Sequence, residues 1–530
     1  MKKTWQSILP CAVLLSVPGA YALVMPPSFP VLTKMPFTVV SAHTNLLKDP
    51  NVTKQRLANA TVLTLQNAVL LALHKNPQLQ MSFNNRKLST YDLVVARDKF
   101  FPQVSLASTA SYTKNNYGGD NVDSSGNTST RSYNVGPTMN WTLPLGTTVT
   151  GNYAYNPSIQ GGASSTHTYS GTWSVSLTQP LLQNFGTSFN EIGLKNAYDA
   201  QKNDNYQLRQ TLQTTISQVI DNYYAVVQAK ENLRIANQSL VTSGRTLSNR
   251  KALLRAGRIP PTDITQSELD ITAQEETLSG AKQTLKTARA TLLETLGLSG
   301  NTLFHVVSQV DADAIHPAVS PSQQIALRNN LTMKMARIQY TQAQRNIITE
   351  DNSRKWKLDL TLTHSRQRMR TIYANANIDS NNESISTNNA ISLNLNIPLN
   401  RVTIDQSKLS AAISMQNSQI SLRNSKREVL AQVQTAIQTL DSDWVQLQTS
   451  KKKLTLSEAS FKASEVKAQY GRIDAFTLSQ QQQQLISSQQ NLVNQKISYL
   501  KEVTSYEKLM GTLLSTWHVH VTTPSYNFDS

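Results

Sequence analysis

Cysteine is all but missing from this chain: Cys11 is the one thiol among 530 residues. It falls inside Met1 to Ala22, which reads as a secretory signal, with Lys2 and Lys3, an apolar stretch from Ile8 to Val17 and Ala20-Tyr21-Ala22 as the cleavage site. Cleavage removes the sole thiol, so a disulfide framework and a cysteine metal site are both excluded. Pro10 and the shortness of the preceding apolar run argue against lipidation at Cys11. Long hydrophobic runs are also lacking, since even Val62 to Leu73 is broken by Thr64, Gln66 and Asn67. Any membrane span is therefore a β-barrel, in which lipid-facing and inward residues alternate. Charged residues are scarce at 16%, yet the mean hydropathy is −0.36, because Gln, Asn, Ser and Thr fill the remainder. That balance excludes a charge-rich disordered tail and a polytopic helical membrane protein.

Catalytic signatures are absent as well. The chain has no G-x-x-x-x-G-K-[ST], no G-x-S-x-G and no H-E-x-x-H, so it reads as a non-enzyme without a cofactor. His518 and His520 form a close pair with no evident third ligand and read as surface residues rather than a metal site. The net charge of +17 does not point to nucleic acid, because the chain is exported and basic residues do not alternate with aromatics. Gln480 to Gln484 reads as a solvated helix face.

What is present is a duplication. The shift that lays Gly257-Arg258-Ile259 on Gly471-Arg472-Ile473 also lays Ile264, Ile271, Leu278, Leu285 and Leu292 on Leu478, Leu485, Leu492, Tyr499 and Tyr506, and Gly297 on Gly511. Nearer the N-terminus a second shift lays Ala72-Leu73 on Ala326-Leu327 and Asn76 on Asn330. The seven-residue spacing is that of left-handed supercoiled helices, and Ser267, Gln274, Ala281 and Ala288 in the other seam let neighbours approach closely. Glu191 to Ala256 holds no Pro and Val402 to Tyr470 holds neither Pro nor Gly, so each predicts one helix of about 65 residues, about 100 Å long. The Gly-Arg-Ile turns end each long helix and start a returning one.

Between the helical parts the period changes to two. Tyr133, Val135, Pro137, Met139, Trp141 and Leu143 alternate with mainly Asn and Thr. Tyr169 to Thr178 and Ile391 to Ile397 alternate in the same way with Ser, Thr and Asn. An outer-membrane barrel requires such strands, although a half-buried soluble sheet would show the same alternation. Pro102 to Pro180 is much longer than the matching Trp356 to Pro398 and has room for an extra hairpin, 131–156, turning at Pro144-Leu145-Gly146 on the periplasmic side. The polar stretches Asn115 to Thr130 and Pro157 to Thr168 are expected as long external loops. The hairpin would raise the strands that each chain gives to the barrel from four to six; a hairpin folded outside the membrane as a cap is the alternative.

The residues at this point resemble the TolC family of trimeric outer-membrane efflux ducts. Leu65, Ala68, Ala72-Leu73, Asn76-Pro77 and Leu79 are similar to the family's first-helix signature, Pro102-Gln103 to its entry into the barrel, and Leu177-Thr178-Gln179-Pro180-Leu181-Leu182 to its return. The resemblance covers about Val62 to Gly511. It implies an all-α periplasmic coiled-coil tunnel joined to a transmembrane antiparallel β-barrel, with two repeats per chain and a homotrimer forming one duct across outer-membrane lipid; with six strands per chain that trimer would close about 18 strands rather than the family's usual number of about 12. A periplasmic adaptor and an inner-membrane pump would be the partners, exporting small molecules; the outer-membrane element of type I protein secretion is the alternative. Outside the family, the competing reading is an exported coiled-coil fibre or adhesin, which gives no reason for strands midway in each repeat. The chain divides accordingly into signal 1–22, extended segment 23–62, helices 63–101, strands 102–180, long hairpin 181–297, equatorial linker 298–321, helices 322–355, strands 356–398, long hairpin 399–511 and tail 512–530.

The resemblance also assigns candidate residues. The turns Gly257, Arg258, Ile259 and Gly471, Arg472, Ile473 would be the adaptor-docking tips. Arg250, Lys251, Arg255, Lys462 and Lys467 gather near them as cations at helix C-termini. Acidic residues just beyond the turns line the family's periplasmic aperture, and Asp263 matches the first. Its second-repeat counterparts are Thr477 and Gln480, so the matching carboxylates are missing and strong cation selectivity is not expected.

Overall fold

The computed structural model describes residues 37–39, 61–115, 128–161, 165–300, 302, 304–307, 312–375 and 378–521; the secretory signal and most of the extended segment lie outside them. Two short strands, β1 (Phe37–Val39) and β2 (Thr61–Leu63), precede the first repeat. That repeat runs α1 (Leu65–Lys75), α2 (Pro77–Asp98), β3 (Gln103–Asn115), β4 (Thr128–Thr142), β5 (Thr148–Gly161), β6 (Ser165–Pro180), a short α3 (Thr187–Asn190), α4 (Ile192–Arg255) and α5 (Thr262–Thr295). The second runs β7 (Phe304–Val306), α6 (Val319–Asn329), α7 (Leu331–Ser353), β8 (Lys357–Asn375), β9 (Ile378–Asn396), α8 (Val402–Gln469) and α9 (Ala475–Met510). A single turn, α10 (Leu513–Thr516), and β10 (Val519–Val521) close the described chain.

The repeats share their caps. Asn76 ends α1 and starts α2: its side-chain oxygen accepts from the N–H groups of Gln78 (2.9 Å) and Leu79 (3.2 Å), while Pro77 takes a first-turn position that needs no donor. Asn330 does the same between α6 and α7, accepting from the Met333 N–H at 3.1 Å. Helices α4 and α8 are single elements of 64 and 68 residues. At 1.5 Å per residue each spans about 100 Å, and each packs antiparallel on its returning partner, α5 or α9.

Apolar burial concentrates where the helices cross the middle of the molecule. There Leu208, Leu212, Ile216, Val219 and Tyr223 of α4 meet Ala72 and Leu73 of α1, Leu79 of α2 and Leu292 and Leu293 of α5. The short parallel pair β2–β7 covers this cluster, and the Tyr223 hydroxyl donates to the Leu63 carbonyl at 3.1 Å. Burial raises the Tyr223 phenol, and burial beside it pushes Tyr224 up to about 12, so both phenols stay neutral. Toward the far ends of the hairpins the core thins to satellites such as Phe461, Ala468 and Leu478.

The six long strands form one antiparallel sheet in the order β3-β4-β5-β6-β8-β9, so the extra hairpin β4–β5 is part of the sheet and joins the repeats edge to edge through β6 and β8. Register sorts the side chains. One face carries Val149, Leu177, Leu362 and Ile391 on a single rung; the other carries Thr148, Thr178, Thr361 and Ser392 on the next. The β4–β5 turn lies at the helical end of the sheet, where the Leu145 carbonyl accepts from the Gly186 N–H at 3.0 Å beside the start of α4. A cap beyond the opposite end of the strands is thereby excluded.

One expectation fails. The composition of Pro157 to Thr168 predicts an external loop, yet β5 continues to Gly161 and β6 starts at Ser165, with Ser158 opposite Thr168 and Ile159 opposite His167. A ladder is held by backbone bonds that polar residues make as well as apolar ones, so polar composition there does not mark a loop. Of Asn115 to Thr130, residues 116–127 lie outside the described residues.

Candidate functional site

At the end of the molecule away from the sheet, both long hairpins turn by the same device. In the first, the Gly257 N–H donates to the Leu254 carbonyl (2.9 Å) and the Arg258 N–H to the Leu253 carbonyl (2.9 Å). In the second, the Gly471 N–H donates to Ala468 (3.0 Å) and the Arg472 N–H to Lys467 (3.0 Å). These paired bonds satisfy the last carbonyls of α4 and α8 and require a left-handed residue, and the glycines supply it with φ of +64° and +67°. After the turns the hairpins differ. Pro260-Pro261 leads into α5 without a side-chain cap, whereas Asp474 caps α9 by accepting from the Thr477 N–H at 2.6 Å. That bond is the main reason the Asp474 carboxyl is held below its ordinary value.

The turns lie side by side. A Cβ on Gly471 would sit 3.9 Å from both the Arg258 carbonyl oxygen and Ile259 Cγ2, while Gly257 faces open space. Arg258 and Arg472 are exposed and Ile259 and Ile473 half-buried, so the six tip residues present two cations over a small apolar patch.

One buried guanidinium ties the tips together. Arg250 is 2% exposed; its Nη1 lies 2.5 Å from Asp263 Oδ2, and Nη2 points at the Ile473 carbonyl oxygen at 3.5 Å. It thus links α4 and α5 to the turn of the other hairpin. Asp263 is held within its own chain by this pair, while Thr477 is half-buried and Gln480 exposed. Two turns further along, Asp270 Oδ1 accepts from Ser479 Oγ at 2.9 Å, and Gln482 Nε2 donates to the Ser239 carbonyl (3.2 Å) and Ser243 Oγ (2.9 Å). These side chains border a cavity of about 10 Å³, the size of one water. The contact between the hairpins is therefore polar and hydrogen-bonded, where the equatorial core is apolar.

Arg250 stands in the sequence as one of several cations near a helix end, and its role escapes that reading. Antiparallel geometry could have found it: Arg250 and Asp263 lie nearly equidistant from Gly257, which sets them face to face. Asp270 and Gln482 offer no such signal, since their partners lie in the other repeat; Gln482 is buried, so the expected solvated face of Gln480 to Gln484 is interrupted at its centre by a contact between hairpins. Lys251, named with Arg250, pairs instead with Glu268 at 3.2 Å on the exposed side.

Residues 68–156, 148–298 and 323–512 match the family model of outer membrane efflux proteins. The chain belongs to the outer membrane efflux protein family. Solved structures with the same fold include the CmeC outer membrane channel of Campylobacter jejuni, at 13% identity with a TM-score of 0.60, covering 85% of this chain and 86% of that one. The outer membrane protein VceC of Vibrio cholerae aligns at 12% identity and a TM-score of 0.61, covering 84% of this chain and 96% of that one. The open state of the MtrE outer membrane channel of Neisseria gonorrhoeae aligns at 14% identity and 0.59, covering 85% and 89%. No curated protein sequence matches the chain. No described helix is long and apolar enough to cross a membrane.

Proposed function

We propose that three copies of this efflux-family chain close one outer-membrane barrel of about 18 strands over a periplasmic tunnel, and that the duct exports small molecules passively. The observation that carries this reading is the six-stranded sheet, apolar on one face toward its helical end and lined with Ser, Thr and Asn on the other, whose edge strands β3 and β9 have no partner among the described residues. An open edge is not tolerated in lipid, so β3 of one copy pairs with β9 of the next. The tips are the docking surface for a periplasmic adaptor coupled to an inner-membrane pump, which supplies the energy. Asp263, Thr477 and Gln480 border the periplasmic aperture, and separation of the Arg250-linked hairpins opens it.

The inner wall supports passive passage. Among the described residues its charges are Lys357 and Asp359, 3.6 Å apart near the helical end, and the remaining wall is mainly hydroxyl, amide and small side chains, with Met369 of β8 among them, and has little hold on a solute. Fractionation tests the reading. A heat-resistant trimer in the outer membrane that crosslinks to an adaptor and pump supports it; release into the medium or assembly into filaments overturns it. The pump captured also decides between small-molecule efflux and protein secretion.

A further inference from the structure

The outward face is not apolar over its whole height: Lys114 of β3 and Arg131 of β4 lie on it toward the end away from the helices, and its densest basic row is the outward face of β8. Leu358, Leu360 and Leu362 begin it as an apolar row, and then, on the same face, come His364, Arg366, Arg368 and Arg370, all exposed. The opposite face at those positions carries Ser365, Gln367 and Met369. With a side-chain period of two, shifting each arginine by one residue would place it on the hydroxyl-lined inner wall in water. The sequence instead keeps the upper inner wall of β8 uncharged and sets three guanidiniums on the side that faces lipid.

Height explains how lipid tolerates them. At about 3.4 Å per residue and a tilt of about 40°, Arg366 lies about 20 Å above Leu358 and Arg370 about 30 Å above it, whereas the apolar belt of such barrels is about 25 Å tall. The row thus crosses the upper edge of the belt, where a lipid-facing arginine costs little. The neighbouring strand agrees: Trp173 is opposite Arg366 and Tyr169 opposite Arg370, aromatics of the kind that mark a lipid interface. Glu383 is the carboxylate at this height; it is opposite Arg370 and pairs with Arg368, so the patch retains a cationic excess.

We propose that Arg366, Arg368 and Arg370 form a docking row for the phosphate groups of a phosphorylated saccharide lipid in the outer leaflet. The inference rests on the reading of the sheet as a membrane barrel. Guanidiniums donate to phosphate oxygens in pairs, and alternate residues set the three about 7 Å apart along the strand, so one headgroup carrying two phosphates can span two of them. The ladder-mates Trp173 and Tyr169 lie against the acyl chains just below the headgroup.

The test uses the purified trimer in phosphatidylcholine vesicles, alone, with bisphosphorylated lipid A, or with the same lipid A after its phosphates are removed. Bisphosphorylated lipid A should raise the temperature at which the trimer dissociates, and the dephosphorylated lipid should not. In R366Q/R368Q/R370Q the lipid concentration needed should rise about tenfold. In Glu383→Gln, which releases Arg368, it should fall. Equal stabilisation by both lipids, by inorganic phosphate alone, or an unchanged response in both variants would overturn the inference while leaving a conducting trimer. Absence of any trimer in every vesicle would overturn the barrel reading and this inference with it.

Discussion

Gly257 and Gly471 hold a backbone conformation that a β-branched residue adopts only at a cost of about 1–2 kcal/mol. Open space around Gly257 means that its substitution strains the turn without a clash, so the tip changes shape while the equatorial core is untouched. The double variant Gly257→Val with Gly471→Val is expected to leave trimers in the membrane and to abolish adaptor crosslinking and export. Asn at both positions, which tolerates the left-handed region, should retain both; normal export in the valine variant would refute a docking role. Asp263 makes a separate case. Asp263→Asn leaves the buried Arg250 charge without its counter-ion, a loss of about 3 kcal/mol at the contact between hairpins, and should raise the resting single-channel conductance. Because Asp263 is already neutralised by Arg250, the unmodified channel should show weak cation preference, and Thr477→Asp with Gln480→Asp should strengthen it in reversal-potential measurements. A strongly cation-selective parent that the pair leaves unchanged would remove these positions from the constriction. The glycine caps were legible because the same Gly-Arg-Ile at the ends of two otherwise divergent helices calls for one shared turn. The burial of Arg250 was not, because it depends on a hairpin more than two hundred residues away in sequence.

Elements were legible in proportion to how local their cause is. The absence of Pro predicts a helix from Glu191 to Ala256, and α4 occupies Ile192–Arg255; Val402 to Tyr470 likewise contains α8, Val402–Gln469. Propagation of a helix needs only its own backbone bonds, so an uninterrupted stretch fixes its length. Strand ends depend on the partner strand instead, and the polar run after Pro157 concealed a ladder that Thr166 to Thr168 complete from the other side. The position of the β4–β5 turn beside Gly186 can be tested chemically because Cys11, within the expected signal, is the one cysteine of the sequence. Gly146 is a poor site for the label, since its φ is +92° and a side chain there would collide with the Asn184 carbonyl. Leu145, 50% exposed in the same turn, suits the purpose. Leu145→Cys should be inert to an impermeant thiol reagent on intact cells and react once the outer membrane is permeabilised; labelling of intact cells would place the turn outside.

The two added strands set the width of the proposed barrel. Strands about 4.8 Å apart and tilted about 40° each take about 6 Å of circumference, so about 18 close at a backbone diameter near 36 Å and about 12 at about 24 Å. The difference comes from β4 and β5, which lie between β3 and β6 in the sheet. Removing them would bring β3 and β6 together still antiparallel, because a hairpin contributes one strand in each direction. Facing is also preserved: Val104 and Leu106 of β3 share the apolar face with Val175 and Leu177 of β6. A variant in which β3 is linked directly to β6 should therefore still assemble as a trimer, with a stability loss from the bond between Leu145 and Gly186. Its barrel, measured by electron cryomicroscopy, should narrow from about 36 Å to about 24 Å, and polymers that enter the parent's outer mouth should be excluded. The helical tunnel sets the other end of the duct and should not change, because α4 and α8 pack on α5 and α9 rather than on the hairpin. A variant barrel as wide as the parent's would mean that β4 and β5 do not contribute to closure.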